Sequence, residues 1–248
     1  MSRAGEPQRQ GEQRQGEQRR GEQRQGEQRR GEQRRGAELR RHILFAAKDV
    51  FLETGYERAS MDAVAARAGT SKRSLYAHFE SKDKLFLAVL DFVRELYLRR
   101  LQTPDAYATD PVQAVTLFCA RFQQLIVWEP QVRTCRLSIA EAERLPGSSA
   151  AYFDGMFASS YQRLSDYLAG RYGMHQAASA ALAEDLLART ALPRLLRTLL
   201  GVEDPVKDSP EEATLAQDVD LAAIRELVSG ALADRTVTAG SEPGPGAD

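Results

Sequence analysis

The sequence predicts an all-α protein in which a three-helix helix-turn-helix domain precedes a larger helical domain. Apolar side chains recur every three or four residues along most of the chain after Ala37, which is the spacing of a helix with one buried face. No segment shows the alternation of apolar and polar residues that indicates a half-buried strand. Between Ser60 and Phe79, two very short helical patterns flank Gly69, and this arrangement is typical of a helix-turn-helix.

The charge of the chain is unevenly distributed. The 248 residues carry a formal net charge of −1. Residues 1–36 contain ten Arg and six Glu, residues 37–103 have a net charge of +3, and residues 104–248 have a net charge of −8. A basic front and an acidic remainder indicate a protein that presents only its N-terminal part to a polyanion such as DNA.

The composition argues against several classes of protein. The polar, charged N-terminus is unlike a secretory signal, and no run approaches the ~20 uncharged apolar residues of a membrane span. We therefore expect a cytoplasmic protein that makes no membrane contact. Two cysteines, Cys119 and Cys135, do not make a disulfide framework. They are interpreted either as buried structural thiols or as an oxidant sensor.

Residues 11–35 consist of five tandem pentamers, which read GEQRQ, GEQRR, GEQRQ, GEQRR and GEQRR. This segment has no apolar side chain to bury, and a glycine at every fifth position opposes helix formation. We therefore expect residues 1–36 to be a disordered tail, with order beginning near Ala37. Two interpretations of the tail remain open: a repeat expansion without a role, or a basic arm that adds sequence-independent attraction to phosphates.

The DNA-binding domain is placed at residues 37–84. Its first helix begins near Ala37 and is stopped by Gly55. Serines then precede three further helices as candidate N-caps, because a serine hydroxyl accepts a hydrogen bond from a free N–H group in the first turn. These N-caps are Ser60, Ser71 and Ser81, for helices over residues 61–68, 72–79 and 82 to about 101.

The second domain, residues 85–235, also consists of helices. After a boundary at residues 104–110, proline and glycine interrupt the amphipathic pattern. These interruptions delimit helices over residues 112–128, 131–144, 150–172, 176–200 and about 211–233. We expect Pro193 to kink the fourth of them. Residues 236–248, which are rich in Gly, Pro and Ser, are expected to form a flexible tail.

The helix over residues 72–79 divides into two faces. On a helical wheel Leu75 and Phe79 share one face, and Arg73 and Ala77 lie about 160° from Leu75. Leu75 and Phe79 are therefore expected in the core. An outward Arg73 is suited to a bidentate contact with a guanine edge, and the small Ala77 lets the helix approach the major groove closely.

Further candidates for DNA contact surround Arg73 and Ala77. Side chains on the flanks of the helix lie where phosphates are expected, and helix ends and turns offer additional donors. The complete set of candidates is Ser60, Thr70, Ser71, Lys72, Arg73, Ser74, Tyr76, Ala77, His78 and Lys82. Tyr76 could instead be a half-buried aromatic, and His78 a histidine favoured by the helix dipole.

The motifs between residues 51 and 85 follow a known pattern. They read FLETGY from Phe51, SMDAVAARAG from Ser60, SKRSLYAHF from Ser71 and SKDKL from Ser81. In this register, residues 38–86 resemble the N-terminal domain of TetR-family transcriptional regulators. The resemblance implies that residues 72–79 form the recognition helix, that Tyr76 and His78 meet phosphates, and that Lys82 lies near one. It also implies a helical ligand-binding and dimerisation domain, whose residues 136–146 are similar to one subgroup.

The acidic C-terminal part shows no catalytic or metal-binding pattern. Its sequence has no glycine-rich phosphate loop, no nucleophile signature and no metal-ligand spacing, so no catalytic residue, metal or cofactor is expected. Its aromatic side chains suit either a helical core or an effector pocket, with Arg136 as the anchor for an anionic group. The pocket candidates are Phe118, Phe122, Trp128, Arg136, Phe153, Met156, Phe157 and Tyr161.

These expectations combine into one function. A single short helix reads too few bases to be selective, so a homodimer is expected to place two copies about one DNA turn (~34 Å) apart on a near-palindromic operator. The helices over residues 150–172 and 176–200 are the expected dimer bundle. We expect a transcriptional repressor that a small-molecule effector releases from double-stranded DNA. The alternatives are an activator, a DNA-compacting architectural protein, and a helical enzyme or carrier.

Overall fold

The computed structural model describes residues 33–210 and 215–238. In its N-terminal part, α1 spans 33–58. Three further helices follow, namely α2 (Met61–Arg67), α3 (Lys72–His78) and α4 (Lys82–Arg100). A short 3₁₀ turn, Pro104–Ala106, leads into the rest of the chain, which contains α5 (Pro111–Ile126), α6 (Glu129–Ala140), α7 (Pro146–Phe153), a π turn (Asp154–Ala158), α8 (Ser159–Tyr172), α9 (Gln176–Leu199), α10 (Leu215–Asp218) and α11 (Leu221–Thr238).

The prediction of an all-α protein is confirmed. Within the described ranges the chain forms helices and no strand, apart from one isolated bridge between Trp128 and Val206. The order of elements is the expected one, with a three-helix unit followed by a larger helical domain.

The three predicted serine N-caps are confirmed. The hydroxyl oxygens of Ser60, Ser71 and Ser81 each accept a hydrogen bond from the N–H group three residues later, at 3.1, 3.1 and 3.2 Å. Each cap is worth about 1 kcal/mol to its helix. Between α2 and α3, Gly69 has a φ of +57°, in the left-handed region that glycine adopts without a steric cost.

Several predicted boundaries differ from the structure. Helix α1 begins at residue 33, four residues before the expected start of order, so the end of the last pentamer and Gly36 are helical. Residues 1–32 of the predicted tail lie outside the described residues. Gly55 has a φ of +76°, yet a further turn continues α1 to residue 58. The expected helix over 131–144 ends at Ala140, because residues 141–144 form a turn.

Two later helical segments were also predicted with wrong limits. The helix expected over 150–172 starts at Pro146 and is interrupted by the π turn. The expected final helix is divided into α10 and α11, with residues 211–214 outside the described ranges. Helix α11 runs to Thr238, so residues 236–238 of the predicted flexible tail are helical, and residues 239–248 are not described.

One core runs through both domains. In the N-terminal unit, Leu75 and Phe79 are buried, as the wheel predicts, beside an aromatic cluster of Phe51, Tyr56 and Phe86. In the larger domain α5 lies at the centre, with α9 and α11 packed against it and α8 packed along α9. Helix α4 belongs to both parts, because its first residues adjoin α1 and its later residues contact α7 and the π turn.

Three helix C-termini are held by a cation from another helix. Lys82 at the start of α4 donates to carbonyls that end α1. Arg163 of α8 donates to the carbonyls of Leu98 and Leu101 at the end of α4. Arg136 of α6 donates to the carbonyls of Thr198 and Leu199 at the end of α9. Such contacts satisfy carbonyl groups that lack an intrahelical partner, and they favour the negative end of the helix dipole.

The π turn approaches α4 so closely that a side chain at position 155 would displace Arg94. A Cβ atom at Gly155 would lie 2.8 Å from Cδ and 2.9 Å from Cγ of Arg94. By contrast, Gly170 in α8 has no atom within 4 Å of the corresponding position.

We therefore expect opposite effects from two Gly→Ala substitutions. Gly170→Ala should raise the free energy of unfolding by roughly 0.5–1 kcal/mol, because alanine loses less backbone entropy in a helix. Gly155→Ala should lower it by about 1–3 kcal/mol, because the added methyl group displaces the Arg94 side chain and α4. Urea denaturation of both variants measures the difference. Equal stabilisation by both substitutions would contradict the close approach.

Candidate DNA-binding surface

Helix α3 has one side exposed to solvent and one side buried in the core. Arg73, Tyr76 and Ala77 are exposed, with Tyr76 at 48% of its full accessibility, whereas Leu75 is completely buried. Ser74 and His78 are partly exposed. Within the described part of the chain Arg73 has no hydrogen bond or ion pair, so its guanidinium group is available to an external ligand.

The serine caps leave donors at the same surface. Ser60 and Ser71 are exposed, and each uses its hydroxyl oxygen as an acceptor. A hydroxyl that accepts a hydrogen bond retains its own proton, so both side chains can donate to a phosphate oxygen. Thr70, between Gly69 and Ser71, is partly exposed.

Lys72 is already engaged by an acidic neighbour. Its Nζ atom lies 2.6 Å from a carboxylate oxygen of Asp62 on α2, and both side chains are more than half exposed. An exposed pair of this kind contributes at most about 1 kcal/mol, so it can exchange for a phosphate. Sequence analysis predicted that Lys72 contacts DNA, but it did not predict the ion pair with Asp62.

Lys82 is engaged within the protein in this structure. Its ammonium group donates to the carbonyl oxygens of Tyr56, Glu57 and Ala59, at 3.0, 3.2 and 3.1 Å. An ammonium group has three protons, and these three contacts use all of them. The side chain therefore joins α1 to α4, and its contact with a phosphate stays a prediction.

Tyr56 is the centre of a group of contacts that sequence reasoning missed. Its ring lies between the Lys82 ammonium group, 4.4 Å from the ring centroid, and the Arg144 guanidinium group, 4.6 Å from it. Its hydroxyl donates to a carboxylate oxygen of Asp83. Burial and this hydrogen bond raise the pKa of Tyr56 above its usual value. No local pattern indicates these contacts, because the four residues come from α1, α4 and the turn after α6.

Arg144 links the larger domain to the N-terminal unit. Besides the ring of Tyr56, it contacts a carboxylate oxygen of Glu57 at 3.2 Å and one of Glu141 at 3.2 Å. Glu57 lies in the last turn of α1, whereas Glu141 and Arg144 belong to the turn that follows α6. This turn is therefore a direct contact between the larger helical domain and the helix-turn-helix unit.

A second unpredicted ion pair fixes α2 against α1. Two nitrogen atoms of Arg67 each lie 2.6 Å from a carboxylate oxygen of Glu53, which makes a bidentate contact. The arginine holds the pKa of the Glu53 carboxyl below its usual value. Because both groups are exposed, the pair orients α2 more than it stabilises the fold.

The eight pocket candidates do not form a single lining. Phe122, Phe153 and Tyr161 surround Phe157, with ring centroids 5.6–6.4 Å from it. Phe118 and Met156 are core side chains, and Phe153 is largely exposed. Trp128 stacks on Arg100 instead, with the guanidinium carbon 4.5 Å from the ring centroid. The guanidinium group of Arg136 caps α9, so its expected role as an anchor for an anion is not supported.

Three buried polar atoms along α6 lack a hydrogen-bond partner among the described residues. They are Nε1 of Trp128, Oε1 of Gln131 and Oγ of Ser138. At spacings of three and seven residues, these side chains share one face of the helix. A buried polar atom without a partner is uncommon, and it indicates a place where a ligand or water completes the bonding.

The cysteines and acidic residues do not indicate redox or metal chemistry. Cys119 and Cys135 are buried, and burial raises the pKa of the Cys119 thiol to about 12 and raises that of Cys135. Because the thiolate is the reactive form, burial disfavours an oxidant sensor. Across the described ranges, no cluster of three or more His, Cys, Asp or Glu side chains could hold a metal ion. The helices described are also too short or too polar to cross a membrane.

Sequence comparison identifies the N-terminal domain. Residues 43–89 match the sequence pattern of bacterial regulatory proteins of the tetR family. The transcriptional activator FasR of Mycolicibacterium smegmatis is 55% identical over 53 residues, which are 21% of this chain and 24% of FasR. The transcriptional repressor BepR of Brucella suis is 38% identical over 58 residues, which are 23% of this chain and 28% of BepR. The chain thus spans about a quarter of the length of these relatives.

Solved structures share the fold over a greater length. A TetR-family transcriptional regulator from Mesorhizobium loti MAFF303099 is 21% identical, with a TM-score of 0.64 over 80% of this chain and 97% of that one. The flavonoid-responsive regulator FrrA is 24% identical, with a TM-score of 0.61 over 79% of this chain and 97% of FrrA. At these identities the likeness concerns the fold.

The contacts of Lys82 predict a structural role that can be separated from DNA binding. Lys82→Met should lower the free energy of unfolding by roughly 1–3 kcal/mol, because three carbonyl groups lose a charged donor. Lys84→Met, which changes an exposed lysine two residues later, is the matched control and should leave stability nearly unchanged. Urea denaturation without DNA measures both variants. An unaltered midpoint for Lys82→Met would contradict the structural role.

Proposed function

Since residues 43–89 form a TetR-family DNA-binding domain on a fold shared with TetR-family regulators, we propose that the protein is a homodimeric transcriptional repressor controlled by a small-molecule effector. The observation that carries the proposal is the division of α3. Leu75 and Phe79 anchor the helix in the core, and Arg73 and Ala77 face solvent with the arginine unpaired in the described structure. A short helix fixed in this way can enter a major groove without ordering first.

The proposed contacts with DNA follow from this orientation. Arg73 reads a guanine edge, and Ala77 allows the close approach that the contact requires. Tyr76, His78 and the hydroxyl groups at the start of α2 and α3 bind phosphates and set the position of the helix on the duplex. Lys72 joins them by exchanging Asp62 for a phosphate.

A two-fold dimer is supported by an exposed apolar face. Leu196 of α9 and Leu200, its C-cap residue, are 59% and 71% exposed, and Leu192 lies one turn before Leu196. Nearer the start of α9, an open groove of about 600 Å³ separates Leu182, Asp185 and Arg189 from Ala223, Leu227 and Gly230 of α11. Large exposed leucines in a row are typical of a protein interface.

This face modifies the expected dimer bundle. Leu164 and Leu168, the buried leucines of α8, belong to the core, and α8 packs along α9 within the protomer. The proposed four-helix interface therefore consists of α9 and α11 from each protomer, so that α11 takes the place of the helix expected over residues 150–172.

The proposed effector site lies along α6. The unpartnered atoms of Trp128, Gln131 and Ser138 offer one donor, one acceptor and one hydroxyl, and apolar side chains form the adjoining core. This chemistry suits a mainly apolar molecule with a few hydrogen-bonding groups.

The end of α6 connects the proposed effector site to the DNA-binding unit. Residues 141–144 continue from α6, and Arg144 in this turn contacts Tyr56 and Glu57 of α1. A ligand that displaces α6 moves this contact. The effect on DNA affinity is limited by the difference in the affinity of the ligand for the two arrangements.

The proposal includes the direction of regulation, which is repression of transcription and not activation. FasR is an activator and BepR a repressor, so a similar DNA-binding domain serves both outcomes. Deleting the gene and measuring transcription from the promoter that the protein binds decides between them: increased transcription supports repression, whereas decreased transcription makes the protein an activator.

Base reading by Arg73 is the central test of the proposal. Arg73→Ala should cost about 1–3 kcal/mol of operator affinity and relax the preference at one base pair of each half-site. Arg99→Ala, at an exposed arginine near the end of α4, is the control. Competition binding with every base at each operator position measures the preference. Equal weakening on all sequences would show that Arg73 contacts only phosphate, and no operator preference in the unmodified protein would favour a DNA-compacting protein.

The proposed interface predicts which surface substitution separates the protomers. Leu196→Glu combined with Leu200→Glu should convert the dimer to a monomer, because four carboxylates would be buried at the contact. Phe153→Glu alters an exposed aromatic on α7 and should leave the dimer intact. Analytical ultracentrifugation measures the mass of both variants. Dissociation by Phe153→Glu alone would instead support an interface on residues 150–172.

A further inference from the structure

The start of α1 is a basic surface that the proposed function does not use. Its first ten residues, 33–42, contain four arginines and one glutamate. Arg34 and Arg35 are exposed, and neither has an ion pair or hydrogen bond within the described structure. They end the last of the five pentamers, each of which carries one or two arginines and a single glutamate.

The start of α1 lies beside the end of the recognition helix. The guanidinium carbon of Arg40 is 4.9 Å from the ring centroid of Phe79, the C-cap residue of α3. His78, a candidate phosphate contact, is the preceding residue. The segment of α1 that ends at Arg40 therefore adjoins the C-terminal end of α3.

Acidic residues distinguish two parts of this basic segment. Arg40 and Arg41 line a shallow groove together with Asp91 and Glu95 of α4. Asp91 also pairs with Arg94 at 2.8 Å, and the guanidinium carbon of Arg41 lies 5.8 Å from the ring centroid of Phe45 and 6.0 Å from that of Phe92. These two arginines are therefore partly neutralised or packed.

Arg34 and Arg35 lie beyond that groove. At 1.5 Å per residue they are roughly 8–9 Å further along the helix axis than Arg40 and Arg41. Arg34 and Arg35 do not line the groove that contains the acidic residues Asp91 and Glu95 of α4. Their charges are thus free to meet another polyanion.

We infer that the start of α1 is a second DNA-contacting surface, in which Arg34 and Arg35 bind backbone phosphates that flank the operator half-site. The inference rests on the proposed function, because it needs α3 on DNA to bring α1 near the duplex. Arginines that neutralise phosphates add affinity without base preference, and each releases condensed counterions. The two surfaces therefore have different tasks: α3 selects the sequence, and α1 increases affinity for any duplex.

The test is a measurement of salt dependence with matched double variants. Arg34→Ala with Arg35→Ala removes the proposed contacts, and alanine preserves the helix. Arg99→Ala with Arg171→Ala removes two exposed arginines at the ends of α4 and α8 as the control. Binding to the operator and to random DNA of equal length is measured at several salt concentrations.

The inference predicts a specific pattern. In the dimer, the slope of log affinity against log salt should decrease by about 2–4 for Arg34→Ala with Arg35→Ala, and affinity should fall by the same factor on both DNAs. The control should keep the slope of the unmodified protein. An unchanged slope overturns the inference, and so does a loss confined to the operator. Failure of the proposed function is recognised separately, because the unmodified protein would then show no preference for the operator.

Discussion

The ammonium group of Lys82 joins α1 to α4, the helices that precede and follow the α2–α3 pair in the chain. It donates to three carbonyl oxygens at the end of α1, and it begins α4 immediately after the turn that follows α3. Leu75 and Phe79 belong to one hydrophobic core with residues of α1, α2 and α4, so this junction contributes to the position of α3. The constraint is electrostatic and local, and Lys82 begins the helix that follows the one carrying Arg73.

The same junction connects the DNA-binding unit to the rest of the protein. Tyr56 lies between Lys82 and Arg144, so a side chain from the turn after α6 adjoins this junction. Three buried polar atoms without partners among the described residues lie along α6 and at its N-cap, and Arg136 on the same helix caps α9. Helix α6 and the turn that follows it therefore contact the proposed effector region, the proposed dimer helix and the DNA-binding unit. A displacement of α6 would therefore alter its contacts with all three regions. A ligand-controlled regulator requires such a connection between its sites.

Sequence reasoning was strong where the determinants are local. Serine caps, the Gly69 turn and the burial of Leu75 and Phe79 depend on neighbours within about four residues, so each could be derived from spacing alone. It missed partners that come from distant segments. Lys82 was interpreted as a phosphate contact and Arg136 as an anion anchor, because the carbonyl groups that bind them lie 23–26 and 62–63 residues away. The local sequence around a lysine or arginine does not reveal whether its side chain binds the end of a helix or a ligand.

The boundaries show a second limit of local patterns. The pentamers have no apolar face, and their glycines oppose a helix, yet α1 extends into the last of them. A helix already anchored by buried residues such as Ile43 and Phe51 adds further turns without a new nucleation cost, so propensity at its end counts for little. This extension carries Arg34 and Arg35 on helical backbone, six and five residues before Arg40, which contacts the C-cap residue of α3. Fixed charges lose less freedom on binding than charges on an unstructured chain, so a short helical extension can contribute more affinity per arginine than composition alone indicates.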